Sequence, residues 1–376
     1  MLDEGLLSSL IWPALLLLAG AYLLRPTHSV FPTINEYPGD FLNRKAYREV
    51  RQNSRKLIIN GLAKYKSPFT FAIPYGRKIL LPASLADWVK SNKNLDHRQL
   101  VREDFFADIP GFEAQTALHS SDDTVLNIVK TKLGQNNSTM GAMNASLTRG
   151  LKETWGDSDE WHKINWYKDT MEIIARAASS VFVGPEKAND REWLDLVQGY
   201  VMAYFTAVSE LHRYPKWSRS IVHWFMPNAI ACRKHVSRAR ILMREVLEKR
   251  QEEVRKAELE GADPPQYNDA LAWVQASSGG KADPGDIQLS LAMAALFTTS
   301  EAFRQVLIDV ARHPGLIEEL REEVSQQVKE HGISVAATSN MVLLDSVMKE
   351  SQRLSSGTGS YCRLFVRISI ALTNIV

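Results

Sequence analysis

Beyond residue 120 apolar positions recur every three to four residues, the period of helices that bury one face. This spacing predicts helices over 123–134, 140–155, 160–182, 190–213, 229–259, 283–312, 314–331 and 340–354. The first part of the chain reads differently. A helix with Lys and Arg on its outer face is expected over Asp40–Lys64. Two short apolar runs, Pro68–Pro74 and Ile79–Pro82, flank Tyr75-Gly76-Arg77-Lys78, which is the pattern of a β-hairpin. Residues 83–90 open another helix. Before them, Pro26, Pro32 and Pro38 break the chain into a stiff, non-helical linker over 25–39. The expected architecture is mainly α, with a small N-terminal β-region.

One run has no polar face at all. Gly5–Leu24 holds twenty residues without a charge, and a helix of that length spans about 30 Å, the hydrocarbon thickness of a bilayer. A secretory signal would carry basic residues before its apolar stretch. Here Asp3 and Glu4 precede the run and Arg25 follows it. That asymmetry favours a retained single-pass anchor with the body on the cytosolic side.

Composition adds mainly exclusions. Of 376 residues, 45% are hydrophobic and 23% charged, so the chain can build a large core and is not disordered. A net charge of +2 is too balanced to mark a nucleic-acid binder. Cys232 and Cys362 are the two cysteines, too few for a disulfide scaffold or a cysteine-rich metal cluster. The nine histidines show no His-Glu-x-x-His spacing. His313, beside Pro314, reads as a helix-end residue. Phosphate-binding glycine motifs and Gly-x-Ser-x-Gly are missing as well. Arg238–Glu260 alternates in sign and reads as a solvated helix.

Candidate chemistry lies in two helices. Asp283 can cap the helix over 283–312, Pro284 suits its first turn, and Asp286 complements its dipole. Its middle, Ala292-Met293-Ala294-Ala295-Leu296-Phe297-Thr298-Thr299-Ser300, allows close approach to the backbone and places hydroxyls in an apolar stretch. Those hydroxyls either face a bound group or bond back to the preceding turn. Farther on, Glu350 and Arg353 lie three apart on one helical face.

This ordered set resembles the cytochrome P450 family of haem-thiolate monooxygenases, in its fungal, membrane-anchored, secondary-metabolism form. The resemblance spans about residues 1–354 and implies a P450-like catalytic domain over 40–354. It implies that residues 283–312 cross over a haem. Thr298 falls where the family places its oxygen-activating threonine, with Thr299 beside it. Glu350 and Arg353 match Glu-x-x-Arg, as a structural pair expected to be buried. Lys130 and Lys132 lie where basic residues meet haem propionates, though a solvated face is the plainer account of them. Implied partners are an apolar small molecule, such as a terpenoid or another fungal secondary metabolite, an NADPH-cytochrome reductase and membrane lipid at the endoplasmic reticulum. The aromatic residues of 193–230 would roof the substrate pocket and touch the membrane, or simply pack.

Two departures stand out. Phe297 occupies the place before the threonine where the family usually has an acid. The haem loop Phe-x-x-Gly-x-x-x-Cys-x-Gly does not follow Glu-x-x-Arg before Val376. Cys362, in Ser-Tyr-Cys-Arg-Leu, and Cys232 both read as ordinary cysteines, leaving no axial ligand for iron. Residues 355–376 form an atypical tail, either a misread gene segment or a genuine short product. The alternative function is therefore an inactive, membrane-anchored binding protein without haem.

Overall fold

The computed structural model describes Gly20 and residues 30–354, apart from 41–42, 74–75, 93, 96, 120–122, 134–136, 159 and 279–282. The tail 355–376 lies outside the described residues, as does Gly5–Leu24 apart from Gly20. Among the described residues no helix is long and apolar enough to cross a membrane. Two compact units divide the chain between Ser91 and Asn92.

In the first unit, α1 (Arg44–Lys64) is followed by an antiparallel hairpin of β1 (Phe69–Ile73) and β2 (Gly76–Leu80), then by α2 (Ala86–Ser91). Asp40 starts α1, its carboxylate accepting from the backbone N–H groups of Arg44, Lys45 and Ala46 at 2.8–3.1 Å. These donors have no partner within the helix, and the carboxylate also suits the positive end of its dipole. Every residue of β1 is buried. Residues 31–35, before α1, lie along this strand. Thr70 N–H donates to the Pro32 carbonyl at 2.8 Å, and Ile34 N–H donates to the Thr70 carbonyl at 2.9 Å. Asn35, fully buried, continues the pairing with its side chain, accepting from Ala72 N–H at 2.8 Å and donating to the Ala72 carbonyl at 2.9 Å.

The second unit is helical. Its elements are α3 (His97–Asp104), α4 (Glu113–Leu118), α5 (Thr124–Ile128), which runs into a π-helical turn Val129–Leu133, and α6 (Asn137–Trp155). They continue as α7 (Trp166–Phe182), α8 (Arg191–Leu211), α9 (Arg219–Val222), α10 (Pro227–Glu260), α11 (Ala270–Ser278) and α12 (Pro284–Arg312). Last come α13 (Gly315–His331), α14 (Val335–Asn340) and α15 (Val342–Leu354). The long periodic segments all form, within a few residues of the predicted bounds except at the start of α7. The short α3, α4, α11 and α14 were not marked by periodicity.

α12 is the organising element, packed against α4, α7, α8, α10 and α15. Asp283 caps it as expected, accepting from Gly285 N–H at 2.8 Å. Around it, Trp193, Tyr200, Tyr204, Leu242, Met243 and Leu271 are almost wholly removed from water. Burial of one such large side chain contributes about 1.5–3 kcal/mol. Their polar tips are satisfied: Tyr200 donates to the Gly111 carbonyl at 3.2 Å, and Trp193 donates to Ser179 Oγ at 3.1 Å. α10 ends at Gly261, whose φ of 68° suits glycine. Its outer half carries exposed pairs such as Arg255–Glu252, in keeping with a solvated helix.

Candidate functional site

The middle of α12 separates two environments. Leu289, Ala292, Met293, Leu296 and Ser300 are buried, whereas Ala294, Thr298 and Thr299 are exposed. Ala294 and Thr298 are one turn apart and so share a face. Thr298 Oγ1 donates to the Ala294 carbonyl at 2.6 Å, the back-bonded arrangement that threonine commonly takes within a helix. The hydroxyl proton is thus engaged, while the lone pairs of Oγ1 still face outwards.

Phe297, one residue earlier, turns towards α7 and α8. Its ring lies 5.6 Å from that of Phe205, centroid to centroid. Together with Tyr167 and Met202 these rings line an open cleft of about 300 Å³, along which α8 and the residues just after it also contribute Thr206, Ser209, Glu210 and Arg213. Tyr167 is held from behind. The guanidinium of buried Arg304, on α12, lies 4.5 Å over its ring and donates to Thr170 Oγ1 at 2.8 Å. A pair with Glu301 balances the charge of Arg304.

α15 is joined to α12 by Ser351, which donates to Asp309 at 2.6 Å and helps hold that carboxyl below its usual range. Glu323, on α13, starts α15 by accepting from the backbone N–H groups of Leu343 and Leu344 at 2.7 and 2.9 Å. This cap comes from a neighbouring helix, twenty residues away in sequence, and no local signal marks it. Glu350 and Arg353 do pair, through two contacts of 2.7 Å. Their expected burial is corrected: the side chains are 55% and 67% exposed. They point away from the faces of α15 that meet α12 and α13, and no described residue covers them. His313 ends α12, with its Nδ1 2.8 Å from the Asp309 carbonyl oxygen.

Lys130 and Lys132 are exposed on the π-helical turn, and no hydrogen bond or ion pair among the described residues links either to α12. The aromatic residues of 193–230 divide into two groups. Trp193, Tyr200 and Tyr204 are core, whereas Trp217, Trp224 and Phe225 are 51–78% exposed.

A profile of the family described as Cytochrome P450 matches residues 127–363. The cytochrome P450 monooxygenase hepE of Aspergillus oryzae is 35% identical over 350 residues, covering 91% of this chain and 64% of the relative. The cytochrome P450 monooxygenase pyr9 of Aspergillus fumigatus is 32% identical over 373 residues, with coverages of 97% and 72%. The chain belongs to the cytochrome P450 family. Another P450 relative, the dihydromonacolin L monooxygenase mokC of Monascus pilosus, is 30% identical, covering 88% of this chain and 63% of that protein. This chain therefore spans from just under two thirds to nearly three quarters of the length of these relatives. Among solved structures, a retinoic acid-bound cyanobacterial P450, CYP120A1, aligns with a TM-score of 0.56 at 15% identity. It covers 87% of this chain and 70% of its own, and supports the fold.

Membership of the P450 family implies haem, whose iron would be held by a cysteine thiolate. Cys232, the one cysteine among the described residues, does not fit that role. It lies on α10, fully buried among the side chains of the apolar core rather than on the open face of α12, and burial pushes its thiol up to about 12. Cys362 lies outside the described residues. The described residues thus offer the open small-residue face of Ala294 and Thr298 but no axial ligand.

Proposed function

We propose that this chain acts as a haem-thiolate monooxygenase on an apolar small molecule, such as a terpenoid or another fungal secondary metabolite. Bound haem would supply the oxygen chemistry, with electrons from an NADPH-cytochrome reductase; one oxygen atom would enter the substrate and the other would leave as water. The observation that carries this reading is the cleft beside Phe297. A ligand against the Phe205 and Phe297 rings would touch α12 at the residue before Thr298, which itself does not line the cleft. The part proposed for Thr298 and Thr299 is to hold water and hydroxyl contacts on the exposed face of α12. Phe297 cannot relay a proton, so any relay there would run through these hydroxyls and water.

The second reading, a membrane-anchored binding protein without haem, is favoured by the packing of Cys232 inside the apolar core, which leaves the described residues without a cysteine free to hold iron. A carbon monoxide difference spectrum of the purified, folded chain separates the two. A strongly red-shifted band is expected of a thiolate-ligated iron. Folded protein with no such band would leave the binding reading standing.

We also propose that Gly5–Leu24 anchors the chain in the endoplasmic reticulum with its body in the cytosol, because Arg25 follows the apolar run. Exposed Trp217, Trp224 and Phe225, with Lys216 and Arg219 near them in sequence, have the composition of a membrane-interface face. Deleting residues 1–26 should release most of the protein from membranes and leave weak peripheral attachment. Recovery of a mature protein cleaved after the run would overturn the anchor.

A further inference from the structure

The cleft between α7, α8 and α12 has a gradient of chemistry along it. Met202, Phe205, Ser209 and Arg213 recur at intervals of three and four residues, so they follow one side of α8 and its C-terminal extension. Beside Phe297 stand Tyr167, Met202 and Phe205, with the Thr206 hydroxyl spent on the Met202 carbonyl at 2.7 Å. The other end holds a hydroxyl, a carboxylate and a guanidinium.

Those end groups are not equivalent. Both Glu210 carboxylate oxygens accept from the Asn228 side-chain amide at 3.1 Å, so that acid is already engaged by α10. Arg213 is exposed, and no ion pair joins its guanidinium to a carboxylate among the described residues, although its backbone N–H donates to the carbonyl of Glu210 three residues before it. Ser209 is exposed beside it. An unpaired guanidinium with five donors in a fixed fork is matched by a carboxylate, which can take two of them at once. A neutral polar group takes fewer, and an ammonium is repelled. The other account of Arg213 is that it complements the negative end of the α8 dipole, which requires no ligand.

We propose that this cleft takes an amphipathic carboxylate, with its apolar body against Phe205 and Phe297 and its carboxylate on Arg213. The proposal names a substrate class for the oxygenase reading. It rests on that reading for the fate of the ligand and not for binding itself.

The test is titration calorimetry of the full chain in zwitterionic nanodiscs, with empty nanodiscs as the blank. Three ligands share one apolar body: phenylhexanoate, phenylhexanol and phenylhexylamine. The acid should bind about tenfold or more tightly than the alcohol, the difference that hydrogen bonds to a charged group produce. Arg213→Gln should erase that preference and leave alcohol binding unchanged, and Arg213→Lys should keep most of it. Phe297→Ala should weaken acid and alcohol alike. Equal affinity for acid and alcohol would overturn the proposal. So would tighter binding of the amine, a preference that survives Arg213→Gln, or no binding of any of the three. Calorimetry reads the cleft and the carbon monoxide band reads the iron ligand, so either reading can fail without the other.

Discussion

Asp269→Ala should lower the free energy of unfolding by about 3–5 kcal/mol, the effect of removing one partner from a buried ion pair. The Asp269 and Arg250 side chains are only 5% and 13% exposed and meet through two contacts of 2.5 and 3.0 Å. Asp269 also accepts from Ala272 N–H at 2.9 Å and so starts α11. Without the carboxylate, Arg250 keeps only the Val183 carbonyl at 2.7 Å and the face of Tyr267 at 4.3 Å. Neither neutralises its charge. Urea unfolding checks the effect, with Glu350→Ala as the control. That carboxylate pairs with an arginine just as closely but is more than half exposed among the described residues, where ion pairs add little. Indistinguishable midpoints for the two variants would show that burial does not set the value of the pair at residue 269.

The same two pairs show what the sequence can and cannot disclose. Glu350 and Arg353 are visible because a helix places residues three apart side by side. Spacing says nothing about what covers them, and here nothing among the described residues does. Arg250 and Asp269 are nineteen residues apart across a turn, so no pattern links them. The long helices were legible because each repeats its apolar stripe over several turns. α3, α4 and α11 are too short to repeat one, and neighbours settle their state: Asp269 caps α11, and the Tyr204 hydroxyl donates to the Phe105 carbonyl just beyond α3 at 3.0 Å. The cleft was legible only in parts. Phe205 and Phe297 could each be singled out, one as an aromatic in a helical run and the other as a departure beside Thr298. Their contact, and the placing of Arg213 at the open end, depend on how α8 lies against α12.

That crossing of helices leads to a paired prediction in which one substitution has opposite signs at two sites. Gly285 lies in the first turn of α12, where it meets α10 so closely that an added Cβ would stand 2.6 Å from the Arg240 nitrogen and 2.8 Å from the Ala239 carbonyl carbon. Backbone atoms in two packed helices cannot rotate aside as a side chain could. Gly285→Ala must therefore push α10 away from α12, which overpacking data place at about 1–3 kcal/mol of lost stability. The same movement strains the two 2.8 Å bonds from Arg240 to Asp286. Helix propensity acts the other way, by about 0.5–1 kcal/mol at most, and less in a first turn. The clash should win. Gly141, in α6, has open space where its Cβ would stand. Gly141→Ala meets nothing and should stabilise the protein by up to about 1 kcal/mol. Thermal unfolding of both variants beside the parent reads the two signs directly. Gly285→Ala melting at or above the parent temperature would mean that α10 and α12 pack less closely than these distances require.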